Sequence, residues 1–164
     1  MSRPQFRTAV VVRAAATLLL LAPLAACTDP PADGLTGTAV FLDDTGRGDS
    51  PIDKGWIIAV PAAAVDKLWS DTGNDPIGQQ DLSYLDARIN RDQVTQAGGV
   101  IAALDDDGEF VLPAKEGQYL LCRLESADIG GGEVIQGCRL LALPASGELR
   151  ITSADGGFYA KMKD

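Results

Sequence analysis

The chemistry open to this chain is set first by what it lacks. Its 164 residues contain no histidine. Ser-His-Asp and Cys-His nucleophile pairs are therefore excluded, as is histidine-ligated zinc. No GxSxG, SxxK, P-loop or GxGxxG string occurs. What remains is carboxylates, three cysteines and two tryptophans. Asp105-Asp106-Asp107-Gly108 is the densest acidic run. Read as an EF-hand loop with Gly108 at its sixth position, it puts Ala103 and Ala114 where the first and last carboxylate ligands belong. A solvated hairpin turn fits these residues better. A partial calcium site using Asp105 and Asp107, extended by Asp71 and Asp75, stays as the alternative. Two carboxylates facing one another across a cleft could also support hydrolysis, and that is the weakest of the readings. The expectation is a protein without a catalytic centre, and no cofactor is expected.

Other strings have a bland and a sharp reading. Arg47-Gly48-Asp49-Ser50-Pro51 spells the integrin-recognition peptide, yet its residues are ordinary turn formers and a loop between two strands accounts for them. Trp56 and Trp69 both have apolar neighbours and read as core, although an exposed Trp would hint at a sugar or hydrophobic ligand.

These residues need elements to position them. The first 26 residues hold Arg3, Arg7 and Arg13 and no acid, followed by the apolar stretch Ala14 to Ala22. That stretch is shorter than the roughly 20 residues of a membrane span, and Pro23 would break a helix there. The pattern is that of an export signal. Leu24-Ala25-Ala26-Cys27 resembles the lipobox of bacterial lipoproteins. The resemblance implies cleavage before Cys27 and a diacylglyceryl group on its thiol, holding the protein on the extracytoplasmic face of the cell membrane. Residues 27–34 then form a Pro- and Gly-containing tether. Residues 35–164 form one domain, and the mature chain 27–164 holds 11 basic and 23 acidic residues. That surface repels phosphate backbones, so no nucleic-acid partner is expected.

With Cys27 lipidated, Cys122 and Cys138 are left as a pair in an oxidising compartment. Both sit in strand-like runs, 118–124 and 134–141, either side of the Gly-rich segment 126–132. An antiparallel hairpin folded at residue 130 would bring the two thiols opposite one another. The expectation is a disulfide, with two buried free thiols as the alternative.

The domain reads as mainly β. Alternation marks strands over 35–42, 55–61, 100–104, 109–112, 119–124, 134–143, 148–153 and 158–162, with turn signals between them. Residues 62–97 interrupt the series. A helix is expected over 62–69, with Val65, Leu68 and Trp69 on one face. A second is expected after a cap at Asp81, carrying Leu82, Leu85, Ile89 and Val94.

Within this series Asp107-Gly108, Phe110, Gly117 and Tyr119 form an acidic turn, an aromatic and a Gly ahead of a Tyr. This resembles the signature of carboxypeptidase regulatory-like domains. The opening Gly37-Thr38-Ala39-Val40 is similar to their first strand. The resemblance implies a transthyretin-like (prealbumin-like) antiparallel β-sandwich and an accessory role, in binding or structure, beside an envelope protein partner. Such a docking module should show an exposed apolar patch or a free strand edge.

Overall fold

In the computed structural model the described residues are 34–43, 48–73, 82–83, 87–126, 131–154 and 157–163. The proposed leader, Cys27 and most of the tether lie outside them. All described residues belong to the unit Pro31–Asp164.

Eleven strands, a short 3-10 turn and two helices are described, in the order β1 (Leu35–Phe41), β2 (Ser50–Pro51), β3 (Trp56–Pro61), the 3-10 turn (Ala62–Ala64), α1 (Val65–Thr72), β4 (Leu82–Ser83), β5 (Arg88–Ile89), α2 (Arg91–Gln96), β6 (Val100–Ala103), β7 (Glu109–Leu112), β8 (Gly117–Ser126), β9 (Glu133–Leu143), β10 (Gly147–Ala154) and β11 (Gly157–Met162). They form two sheets. The first runs β11-β10-β1, with β2 and β7 sharing the far side of β1. The second runs β9-β8-β3-β6, with β4 and β5 sharing the outer side of β9.

Side-chain alternation decides how the sheets stack. In β1, Leu35, Gly37 and Ala39 are buried while the residues between them reach solvent. β7 and β10 alternate in the same way. These inward residues meet Ile57, Ala59, Leu121 and Leu143 of the second sheet in one apolar core. At Gly37 the strand passes close beneath Phe110, and a Cβ there would sit 2.3 Å from the ring. The residues of β3 from Ile57 to Val60 are all fully buried. An uninterrupted apolar run of this kind needs cover on both faces. The outer cover is a second core, in which Ile58, Val60, Leu120 and Ile135 pack with Val65, Leu68 and Trp69 of α1 and Val94 of α2. The molecule is thus a two-sheet sandwich with a helical layer on one sheet.

The hairpin of β8 and β9 pairs Cys122 directly with Cys138, and the two are joined by a disulfide with Cα atoms 4.1 Å apart. The pairing is symmetric about residue 130 from Gly117↔Leu143 to Arg123↔Gly137. A bulge then shifts it, so that Leu124 faces Ile135.

Two expectations are corrected. The sandwich is not wholly antiparallel, because β1 runs parallel to β10 from Leu35↔Gly147 to Phe41↔Ser153. Over a hundred residues separate the two strands, so no hairpin dictates their relative direction. The second expected helix is also different. Asp81 lies outside the described residues. Leu82–Ser83 and Arg88–Ile89 are strand pieces on β9, and the helix covers only Arg91–Gln96. Its start is fixed by Gln93, whose Oε1 accepts a hydrogen bond from the Asn90 backbone N–H at 2.9 Å. The free edge of β9 offers ladder partners to Leu82–Ser83 and Arg88–Ile89, which a short isolated helix cannot match.

Candidate functional site

Strand register fixes the two ends of the sandwich. Leu35 lies beside Leu112 and Gly147. Gly34 and the turns at 113–116 and 144–146 therefore share one end. Trp56 pairs with Ala103 and Leu124 at the other. There the 104–108 turn is held by hydrogen bonds from Leu104 N–H to Gly55 O (3.1 Å) and from Ala39 N–H to Gly108 O (2.8 Å). The chain thus enters β1 at the end remote from Trp56.

The Trp56 end carries a cleft of about 550 Å³ lined by Asp53, Lys54, Gly55, Trp56, Ala103, Leu104, Glu125 and Ser126. Gly55 shapes it. Its φ is +106°, and a Cβ would lie 2.2 Å from the Leu124 carbonyl oxygen, so only glycine lets the 53–54 corner lie flat against β8. Trp56 is half-buried. The Arg91 guanidinium stands over its ring at 4.4 Å, and Arg91 Nε is held by Glu133 Oε1 at 2.8 Å. The side chains of Asp53, Lys54 and Ser126 make no hydrogen bond or ion pair among the described residues. Glu125 faces Arg123 at 3.6 Å.

Across Ala103 lies a second cleft of about 430 Å³, lined by Thr36, Thr38, Asp105, Glu109 and Glu148 among others. Two of its three acids, Asp105 and Glu148, are already engaged. Asp105 Oδ1 accepts from the backbone N–H groups of Asp107 (3.0 Å) and Glu109 (2.7 Å), closing the acidic turn on itself. Glu148 pairs with Lys163 at 2.6 Å. A third cleft of about 450 Å³ lies between Arg88, Asn90, Gln93 and Gly131. Arg88 there donates to Gly131 O.

The residues singled out from the sequence disperse. Cys122 and Cys138 come together. Asp105 and Asp107 share a turn, while Asp71 pairs with Lys67 on α1. Asp75 lies outside the described residues. Among the described residues no group of three or more acids or cysteines is arranged to hold a metal ion. Arg47 also lies outside the description. Gly48 borders open space, and Asp49 is bound by Arg150 at 2.6 Å. Trp69 is core, as expected, and its indole N–H finds no acceptor among the described residues. Trp56 belongs to the cleft mouth instead. For the docking reading, β11 pairs only with β10 among the described residues and exposes Tyr159 (53%).

Arg91 and Glu133 escaped sequence reasoning. Each is an ordinary charged residue locally, and their pairing across 42 positions leaves no signal in the chain.

No protein-family model and no curated protein matches the chain. A solved structure from Pseudomonas aeruginosa, described as a "putative carbohydrate binding protein", is similar over 74% of this chain and 88% of that one, at 16% identity and a TM-score of 0.42. That degree of likeness transfers no ligand to this chain.

Proposed function

We propose that the chain is a lipid-anchored, non-catalytic binding module of the cell envelope. The observation that carries this reading is the separation of the two ends of the sandwich. The lipobox cysteine Cys27 lies seven residues before Gly34, a reach of at most about 25 Å. Gly34 stands at the end opposite the Asp53–Trp56 cleft. A domain tethered this way turns its unspent polar groups away from the bilayer, where a partner or ligand can reach them. We assign the sandwich to the transthyretin-like, carboxypeptidase regulatory-like class. In support, Gly108 makes the tight turn at φ +73° and Phe110 fills the core above Gly37. The divalent-cation reading has less support, because Asp105 Oδ1 is already occupied by two N–H donors. Hydrolysis has less still, since most of the cleft carboxylates are tied to cations or to their own turn.

The test has two parts. Intact mass of the protein from membranes should fit residues 27–164 plus acyl chains, and Cys27→Ala should release the protein from the membrane fraction. A photo-crosslinking residue at Ser126 should then capture a partner or ligand on intact membranes, and one at Lys115, on the tether end, should not. An unlipidated mass overturns the anchor. Equal capture at both positions overturns the directional reading.

A further inference from the structure

We infer that the Asp53–Trp56 cleft takes a neutral oligosaccharide. The inference rests on the reading of this end as the binding face and adds the ligand class. Its volume falls in the range of small-ligand sites, about 300–1,000 Å³. Its walls decide what fits. Of its apolar residues, Gly55 and Ala103 are small, Leu104 is nearly buried and the Trp56 ring is covered on one face by Arg91, so an oily ligand would gain little by entering. Asp53 and Glu125 offer acceptors, Lys54 offers donors, and the Ser126 hydroxyl offers both. A sugar hydroxyl likewise donates and accepts, and a run of them matches such a mixed set. Among the cleft side chains, Asp53, Lys54 and Ser126 are uncommitted among the described residues, so binding breaks no existing bond of theirs.

Trp56 places an aromatic residue in the lining beside these polar groups, with one face of its ring covered by Arg91. Its ring is fixed before any ligand arrives by Arg91, itself locked to Glu133. A pre-set aromatic lowers the ordering cost of binding. Charge narrows the class further. Asp105, Asp106 and Asp107 form the adjacent turn, and the domain as a whole is strongly acidic. Anionic sugars are repelled by such a field and neutral ones are not.

The experiment uses the mature lipidated protein in detergent micelles, titrated with chitotetraose and maltotetraose and, as the charged control, trigalacturonate. Binding is read by calorimetry and by tryptophan fluorescence. At least one neutral tetrasaccharide should bind and perturb the emission, and trigalacturonate should not bind. Trp56→Phe should abolish the fluorescence change. Asp53→Asn, an exposed substitution that leaves the core untouched, should weaken affinity about tenfold, the loss of one good polar contact. Absence of binding by both neutral sugars overturns the inference, as does affinity unchanged in both variants. Capture through Ser126 on membranes together with no saccharide binding would remove the ligand class and leave the binding face standing.

Discussion

Breaking the Cys122–Cys138 bond should cost the domain about 3 kcal/mol, and the structure says where that energy resides. The bridge closes a 16-residue separation, for which chain-entropy reasoning gives about 3 kcal/mol of destabilisation of the unfolded ensemble. The folded hairpin does not need the bond for its register, because β8 and β9 are paired along their whole length. The effect should therefore lie in the unfolded state, and the reduced protein should still fold. Replacing both cysteines by alanine adds a second term. Both side chains are fully buried beneath the α1 and α2 layer, so the lost sulfurs leave a void worth about 1 kcal/mol each. The assay is thermal and urea unfolding of three species: oxidised protein, protein reduced in denaturant and refolded, and Cys122→Ala/Cys138→Ala. Reduction under denaturant is needed because the buried sulfurs are closed to reductant in the native state. For a domain of this size the reduced protein should melt about 10–15 °C lower, with the double variant lower again. A mass gain of about 2 Da confirms reduction. A drop below about 3 °C in fully reduced protein would refute the reasoning, since it would mean that the unfolded chain already holds this hairpin closed.

Three further perturbations test other parts of the fold. Arg91→Ala removes the cation over Trp56 and leaves the largely buried Glu133 without its ion pair; it should cost about 2–3 kcal/mol in urea unfolding, with Arg91→Lys in between. Gly108→Ala puts a Cβ 2.4 Å from the Ala39 carbonyl at φ +73°, and should cost about 2 kcal/mol by the same assay. Asp105→Ala deletes the acceptor of two backbone N–H groups and should cost about 1–2 kcal/mol, whereas Asp105→Asn keeps an oxygen there and should recover most of it; millimolar calcium should leave the wild-type melting temperature unchanged, because that oxygen is already occupied.

What could be read from the sequence divides along the range of the forces involved. The eight longer strands announce themselves because each carries its own alternation or apolar run. The disulfide was legible for the same reason, since its two cysteines sit symmetrically about one local turn. The two-residue strands were not. Ser50–Pro51 is a strand only because β1 has a free edge beside it, and Leu82–Ser83 and Arg88–Ile89 only because β9 does. Leu82, Ile89 and Val94 fit a helical spacing, but a strand edge about 50 residues further on competes for the same backbone, and its ladder takes precedence. The parallel pairing of β1 with β10 is non-local in the same sense.

The candidate site lies at the far limit of this scale. Its floor is a glycine whose necessity comes from a carbonyl at Leu124, and its aromatic wall is set by an arginine on a helix and a glutamate on a strand from another part of the chain. Asp53 and Lys54 are unremarkable turn residues until the fold leaves them without partners among the described residues at the end away from the tether. Spent polar groups stabilise a fold, and unspent ones in a shaped cleft are available for a ligand. That distinction depends on three-dimensional bookkeeping of hydrogen bonds, which composition and spacing do not contain. Asp105, the first residue of the run that looked like a metal site in sequence, is among the spent groups. The residues of the Asp53–Trp56 cleft with capacity left, Asp53, Lys54 and Ser126, are ones that carried no motif.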